Sequence, residues 1–180
     1  MIKYFRGSVI VRMGLMRCAI YMAVWALVSF PMGRLFKGMG LRWDRPPFAE
    51  WRWEMGGAVY DRLGIRRWMN LVPDVSRMFP GIVPRKAIYG KPRARDVQSM
   101  LEETCVAELI HLVLCVSGLA LLFLWPGAGG LCVFILYVVI GNLPFMMIQR
   151  YNRPGLRRLL EGALRRERRL ADAGSDTVEQ

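Results

Sequence analysis

At 180 residues the chain has room for one domain of ordinary size. It is 54% hydrophobic yet carries 26 Lys and Arg against 14 Asp and Glu, a formal net charge of +12. Soluble basic proteins are rarely so apolar, whereas lipid-embedded runs with basic flanks reconcile the two numbers. Reading the charge as nucleic-acid binding leaves the apolar runs unexplained and has no motif behind it, so no nucleic-acid partner is expected. Four cysteines without a CxxC pair, and a single histidine, argue against a disulfide framework or a multi-ligand zinc site, and no metal is expected. The expected fold class is an all-α integral membrane protein: a helical hairpin plus an N-terminal membrane segment and interfacial amphipathic helices.

Residues 1–33 form the first segment, read as a retained membrane anchor. Cys18–Gly33 is uncharged but short for a span, and extending it back to Ser8 takes in Arg12 and Arg17, which can snorkel to headgroups. A cleaved signal peptide is the alternative, although no A-x-A-like site is present. A single span here would put Lys3 and Arg6 on the side that the positive-inside bias disfavours, so a re-entrant or doubled-back element stays open.

Residues 34–95 form a cytoplasmic or interfacial segment. Trp51, Met55, Val59 and Leu63 recur every four residues with Arg52, Glu54, Asp61 and Arg62 between them. That spacing predicts an amphipathic helix, either lying in the interface or packed on the bundle. From Pro80 to Pro92 the density of proline and glycine predicts a loop. A helix is expected to start near Asp96 or Ser99, where Ser99 and Glu102 fit a capping box.

Residues 96–149 are read as the transmembrane hairpin. Leu109–Pro126 and Gly127–Ile148 each have the length of a bilayer core at about 1.5 Å per residue. The uncharged turn from Trp125 to Gly130 joins them. Both flanks are basic: 14 Lys/Arg lie in Arg34–Thr104 and eight in the tail, residues 150–180. The positive-inside bias therefore puts these flanks in the cytoplasm of a multi-pass protein of the cell membrane. The tail arginines, Arg157 to Arg169, predict a helix that binds lipid headgroups and frays.

Between Ala107 and Gln149 the ionisable groups other than Cys and Tyr are Glu108 and His111. Their spacing of three puts them on one helical face, in a stripe with Thr104 and Cys115. Ionisable groups at a span mouth are costly unless paired and mark a site by default. Counting from Ala128, Glu108 lies twenty residues back and Ile148 twenty on. A hairpin of equal rise thus predicts that Gln149, Arg150, Asn152 and Arg153 ring the level of Glu108 and His111. The alternatives are structural: Glu108 neutralising an arginine, His111 satisfied at the interface, and the arginines bound to lipid phosphates.

Three stretches carry a family resemblance. They are Trp53-Glu54-x-Gly56 with Tyr60, Trp68 and Pro73-Asp74; Glu103-Thr104-Cys105-x-Ala107-Glu108-x-x-His111; and Asn142-Leu143-Pro144 followed by Gln149-Arg150-Tyr151-Asn152-Arg153-Pro154. From about Phe48 to Leu160 the chain resembles the glycosyl-4,4'-diaponeurosporenoate acyltransferases. The resemblance implies transfer of a fatty acyl group, with acyl-CoA as co-substrate, to a sugar hydroxyl of a glycosylated lipid or carotenoid in the membrane. Under it, His111 would be the general base and Glu108 its orienting group, and Asn152 or Arg150 would stabilise negative charge. Arg153 would hold a donor phosphate, with Gln149, Asn142 and Thr104 completing the substrate-binding set. Cys105 as a covalent nucleophile is an alternative, and a non-catalytic adaptor binding anionic lipid or a protein partner is the rival function.

Overall fold

A computed structural model describes residues 2–72 and 91–176. Pro73-Asp74 and most of the expected Pro80–Pro92 loop lie outside the described residues. Among these residues the protein is all-helical, and three helices are long and apolar enough to cross a membrane: Ser8–Lys37, Ala94–Leu124 and Ala128–Ala173. The chain divides into two compact units: residues 1–41 with 106–147, and residues 42–105 with 148–180.

The first unit is the membrane-crossing one. Its α1 (Ile2–Lys37) is a single helix of 36 residues that passes through Pro31. It has more than the length a bilayer core of about 30 Å requires, and it does not double back. Arg12 and Arg17 are exposed on it, while Gly14 and Cys18 are buried. The stripe of Gly14, Cys18, Tyr21 and Trp25 repeats at helical spacing. It packs where Trp125 closes over Gly14 and where Tyr21 meets Tyr137 edge-on, ring centroids 6.4 Å apart. Small residues that let a helix approach a neighbour closely are how membrane helices associate when the hydrophobic effect offers no difference between lipid and protein.

The hairpin follows the charge-free run. Helix α4 (Ala94–Ser117) ends where Gly118 and Leu119 turn, and α5 (Ala120–Leu124) completes the crossing. Gly127, with φ of +96°, makes the reversal, a left-handed position glycine adopts without a Cβ penalty. Helix α6 (Ala128–Val139) returns, and the ladder loosens at Ile140–Asn142 before α7 (Leu143–Asp176) begins.

The second unit corrects one expectation. The four-residue period over Trp51–Leu63 does not form one helix. A 3-10 turn (Arg52–Gly57) precedes α2 (Ala58–Arg62), with α3 (Ile65–Trp68) and a 3-10 turn (Met69–Leu71) after it. The break comes from Met55, Gly56 and Gly57, all at positive φ, and from two carboxylates that capture backbone N–H groups. Glu54 accepts from Trp51 N at 2.6 Å, and Glu50 accepts from Gly56 N at 2.5 Å. Trp51, Met55 and Leu63 are each more than half exposed, so they are not an inward-packed edge of this unit.

Helix α4 starts at Ala94, so of the two expected starts the one near Asp96 holds, ahead of the Ser99–Glu102 capping box. The tertiary fold supplies the cap. Ala94 N donates to Glu167 Oε1 at 2.8 Å, and Arg166 donates to Pro92 O at 2.6 Å, both from α7. Ala94, Val97 and Leu101 pack on Leu160 and Ala163, with Leu156 and Trp43 alongside. Burial of Val97, Leu101 and Leu160 stabilises by about 1.5–3 kcal/mol each. The basic tail is thus a two-faced helix: Leu160 and Ala163 are buried, and Arg158, Arg165, Arg168 and Arg169 are exposed.

A Cβ at Gly14 would lie 2.4 Å from Trp125 Cδ2, inside the indole rather than at a flexible tip. Gly14→Val is therefore expected to destabilise the first unit by about 1–3 kcal/mol, read as a lowered midpoint of thermal unfolding in detergent. Gly162→Ala, whose methyl would meet nothing within 4 Å, should leave the midpoint unchanged or raise it.

Candidate active site

Each unit holds a polar cluster of its own. In the first, His111 on α4 faces Asn142, the residue at which the return crossing loosens. His111 Nδ1 and Asn142 Oδ1 are 3.0 Å apart, and the Asn142 amide nitrogen donates to Tyr137 O at 2.9 Å. The second contact decides the first. A backbone carbonyl only accepts, so the amide nitrogen must face Tyr137, and the carboxamide oxygen then faces His111. Nδ1 therefore carries a proton, and in the neutral imidazole it is Nε2 that keeps the lone pair. Phe145 stacks on the ring, centroids 4.5 Å apart and 15° from parallel, which restricts its rotation. Asn142 is 1% exposed and Glu108, three residues before His111, is 7% exposed. The orienting partner on Nδ1 is the carboxamide of Asn142.

The second unit builds a cleft of about 240 Å³, lined by residues from Trp43–Gly57 and by Arg150, Arg153, Pro154 and Arg157. Its buried carboxylate is Glu54. Oε1 accepts from Tyr60 OH at 2.5 Å and pairs with Arg150 Nε at 3.0 Å, while Oε2 takes Trp51 N–H. Arg150 also donates to Pro47 O at 3.1 Å and lies over the Trp51 ring. Positions 150, 153/154 and 157 recur at helical spacing, so α7 presents these side chains to one side.

Arg153 is a brace. Nε donates to Thr104 Oγ1 at 2.8 Å, and the two terminal nitrogens donate to Phe48 O at 2.8 Å and Thr104 O at 3.1 Å. It is 6% exposed, with its guanidinium over the Phe48 ring. The fork reads two backbone carbonyls and a hydroxyl at once, a geometry that a lysine point charge cannot reproduce. Tyr151 reaches Asp61 Oδ1 at 3.0 Å and accepts from Arg66 Nε at 2.8 Å. Burial and that hydrogen-bonded fork place Thr104 and Arg153 together, as His111 and Asn142 are placed together in the other unit. Gln149 and Asn152 are half-buried on α7. Cys105 is fully buried, with its thiol on Leu101 O.

Sequence reasoning did not select Glu50, Glu54, Tyr60 or Arg157 as site residues. The signal available was the Trp53-Glu54-x-Gly56 stretch with Tyr60 six residues after Glu54, residue types that serve equally in an ordinary amphipathic helix.

Removing one partner of a buried ion pair leaves an uncompensated charge. Glu54→Gln should therefore cost about 3–5 kcal/mol of unfolding free energy. Glu54→Gln combined with Arg150→Met should recover part of that loss, as read by a double-mutant cycle in detergent unfolding. Strict additivity would mean that the pair does not act as a unit.

Comparison with known proteins places the chain. The family model described as glycosyl-4,4'-diaponeurosporenoate acyltransferase matches residues 44–162. A Staphylococcus haemolyticus protein with that name is 26% identical over 161 residues, covering 89% of this chain and 92% of its own length. Staphylococcus aureus proteins of the same name, from strains RF122 and MRSA252, are each 26% identical over 154 residues, covering 84% of this chain and 91% of theirs. No solved structure matches. The match takes in Glu54, Tyr60, Thr104, His111, Asn142, Arg150 and Arg153. The chain belongs to the glycosyl-4,4'-diaponeurosporenoate acyltransferase family and is an acyltransferase.

Proposed function

We propose that the protein moves a fatty acyl group from acyl-CoA to a sugar hydroxyl of a glycosylated lipid or carotenoid, at the cell membrane, with its basic segments on the cytoplasmic side. The observation that carries this reading is the hydrogen-bonded contact of His111 Nδ1 with Asn142 Oδ1, which leaves Nε2 as the basic nitrogen of the neutral ring. An imidazole with a free Nε2 lone pair is a general base for a hydroxyl group. In the reaction, Nε2 takes the hydroxyl proton as the sugar oxygen bonds to the thioester carbonyl carbon. The resulting tetrahedral oxyanion collapses with cleavage of the C–S bond, and the departing thiolate takes the proton back from His111. Charge that develops on the imidazolium is delocalised onto Nδ1–H, where Asn142 Oδ1 accepts. Glu108 is buried on the same helix three residues earlier, on the face it shares with His111.

The relatives' names support the acceptor class, and the positive-inside bias supports the orientation. The thioester donor is supported by the chemistry, since a sugar hydroxyl needs an activated acyl group.

His111→Ala should lower kcat by about 10²- to 10⁴-fold, the usual contribution of a general base, while the amount of folded protein in membranes stays the same. The assay is transfer of radiolabelled acyl group from acyl-CoA to a panel of glycosylated lipids. Wild-type activity in the variant, or the absence of transfer by the parent protein to every acceptor, would contradict the reading.

A further inference from the structure

The cleft of the second unit is a feature that the proposed chemistry leaves unused. Its charged lining comprises Asp44, Glu50 and Glu54 against Arg150, Arg153 and Arg157, three carboxylates and three guanidiniums. Such a lining has no net charge to offer a phosphate, and an anion entering it would meet three carboxylates as well as three cations. The buried half of the set is occupied with internal contacts: Glu54 holds Tyr60 and Arg150, and Arg153 holds Thr104 and Phe48.

The exposed half is different. Glu50 and Arg157 approach only to 3.5 Å, long for an ion pair that is also a hydrogen bond. Glu50 spends one oxygen on Gly56 N, which leaves acceptor capacity on a carboxylate with about four lone-pair sites. Asp44 is exposed, and the Arg42 fork, 2.6–3.0 Å away, holds its carboxyl below the usual carboxylate range, so it presents an ionised acceptor at neutral pH. Trp43 and Ala49 supply apolar wall beside these groups.

A cavity with no net charge, carboxylate acceptors beside guanidinium donors at its mouth, and an aromatic wall suits a ligand that is uncharged, rich in hydroxyl groups and apolar on its ring faces. We propose that this cleft binds a sugar ring, with Glu50, Asp44 and Arg157 hydrogen-bonding its hydroxyls and Trp43 against its C–H face. The choice of a sugar over another polyol rests on the acyl-transfer reading; the preference for a neutral ligand over an anionic one rests on the lining alone.

The test is saturation-transfer NMR on the full chain in nanodiscs, without acyl donor, with methyl β-glucoside as probe and inorganic phosphate as competitor. Saturation of the ring protons is expected. Glu50→Gln, which keeps an oxygen for Gly56 N–H, and Asp44→Asn should each weaken binding about tenfold, the loss of one hydrogen bond to a charged group. Excess phosphate should not displace the sugar. The proposal is overturned by the absence of ring saturation, by unchanged binding in both variants, or by displacement with phosphate. Acyl transfer by a protein that shows no ring saturation would sink the cleft assignment alone. Ring saturation without transfer to any acceptor would sink the acyltransfer reading alone.

Discussion

A polar side chain on a lipid-crossing helix must find a partner, and the hydrogen bonds that run from the Tyr137 carbonyl through Asn142 to His111 are how this chain meets that demand. The loosened ladder at Ile140–Asn142 frees a backbone carbonyl, and the Asn142 amide takes it. That leaves the other end of the same carboxamide for an imidazole, and with it the choice of which ring nitrogen holds the proton. One irregularity in a helix thereby becomes a chemical specification: a base with its lone pair on Nε2, steadied by Phe145. An unbroken helix through residues 140–142 would retain its own backbone bonds and have no reason to turn a carboxamide towards α4.

The same economy shapes the second unit, where the buried groups are ionic. Glu54 is 3% exposed and its carboxylate is shared by a phenol, a guanidinium and a backbone N–H. Arg153 is surrounded by a hydroxyl and two carbonyls. Bridges of this kind stabilise less than their Coulomb attraction suggests, because both charges lose their water. What they provide is geometry: α7 is locked to the turns around Phe48 and Glu54 and to Thr104 on α4. The cap from Glu167 to Ala94 does the same work further along α7.

The membrane crossings were legible because they need only a count of uncharged residues against the bilayer thickness, and the reversal at Trp125–Gly127 stands in the chain as Pro-Gly. His111 and Glu108 were legible because ionisable groups are scarce in such a run. The rest depended on contacts remote in sequence. The start of α4 near Asp96 was legible, but its cap, Glu167, was not, because it lies 73 residues away. The helix expected across Trp51–Leu63 failed because periodicity takes no account of Gly56-Gly57 or of two carboxylates competing for the backbone. Asn142 was legible as a polar residue near the far end of the return crossing, and the structure assigns it the physical task of holding a proton on His111 Nδ1.

The chain has one histidine, so a ¹⁵N spectrum of uniformly labelled protein reports on His111 without assignment ambiguity. A neutral imidazole at pH 7 with the proton on Nδ1 and a bare Nε2 is expected, with a spectrum that changes when Asn142 is replaced by leucine. A proton on Nε2, or on both nitrogens, would leave the proposed base without a lone pair and contradict the central claim.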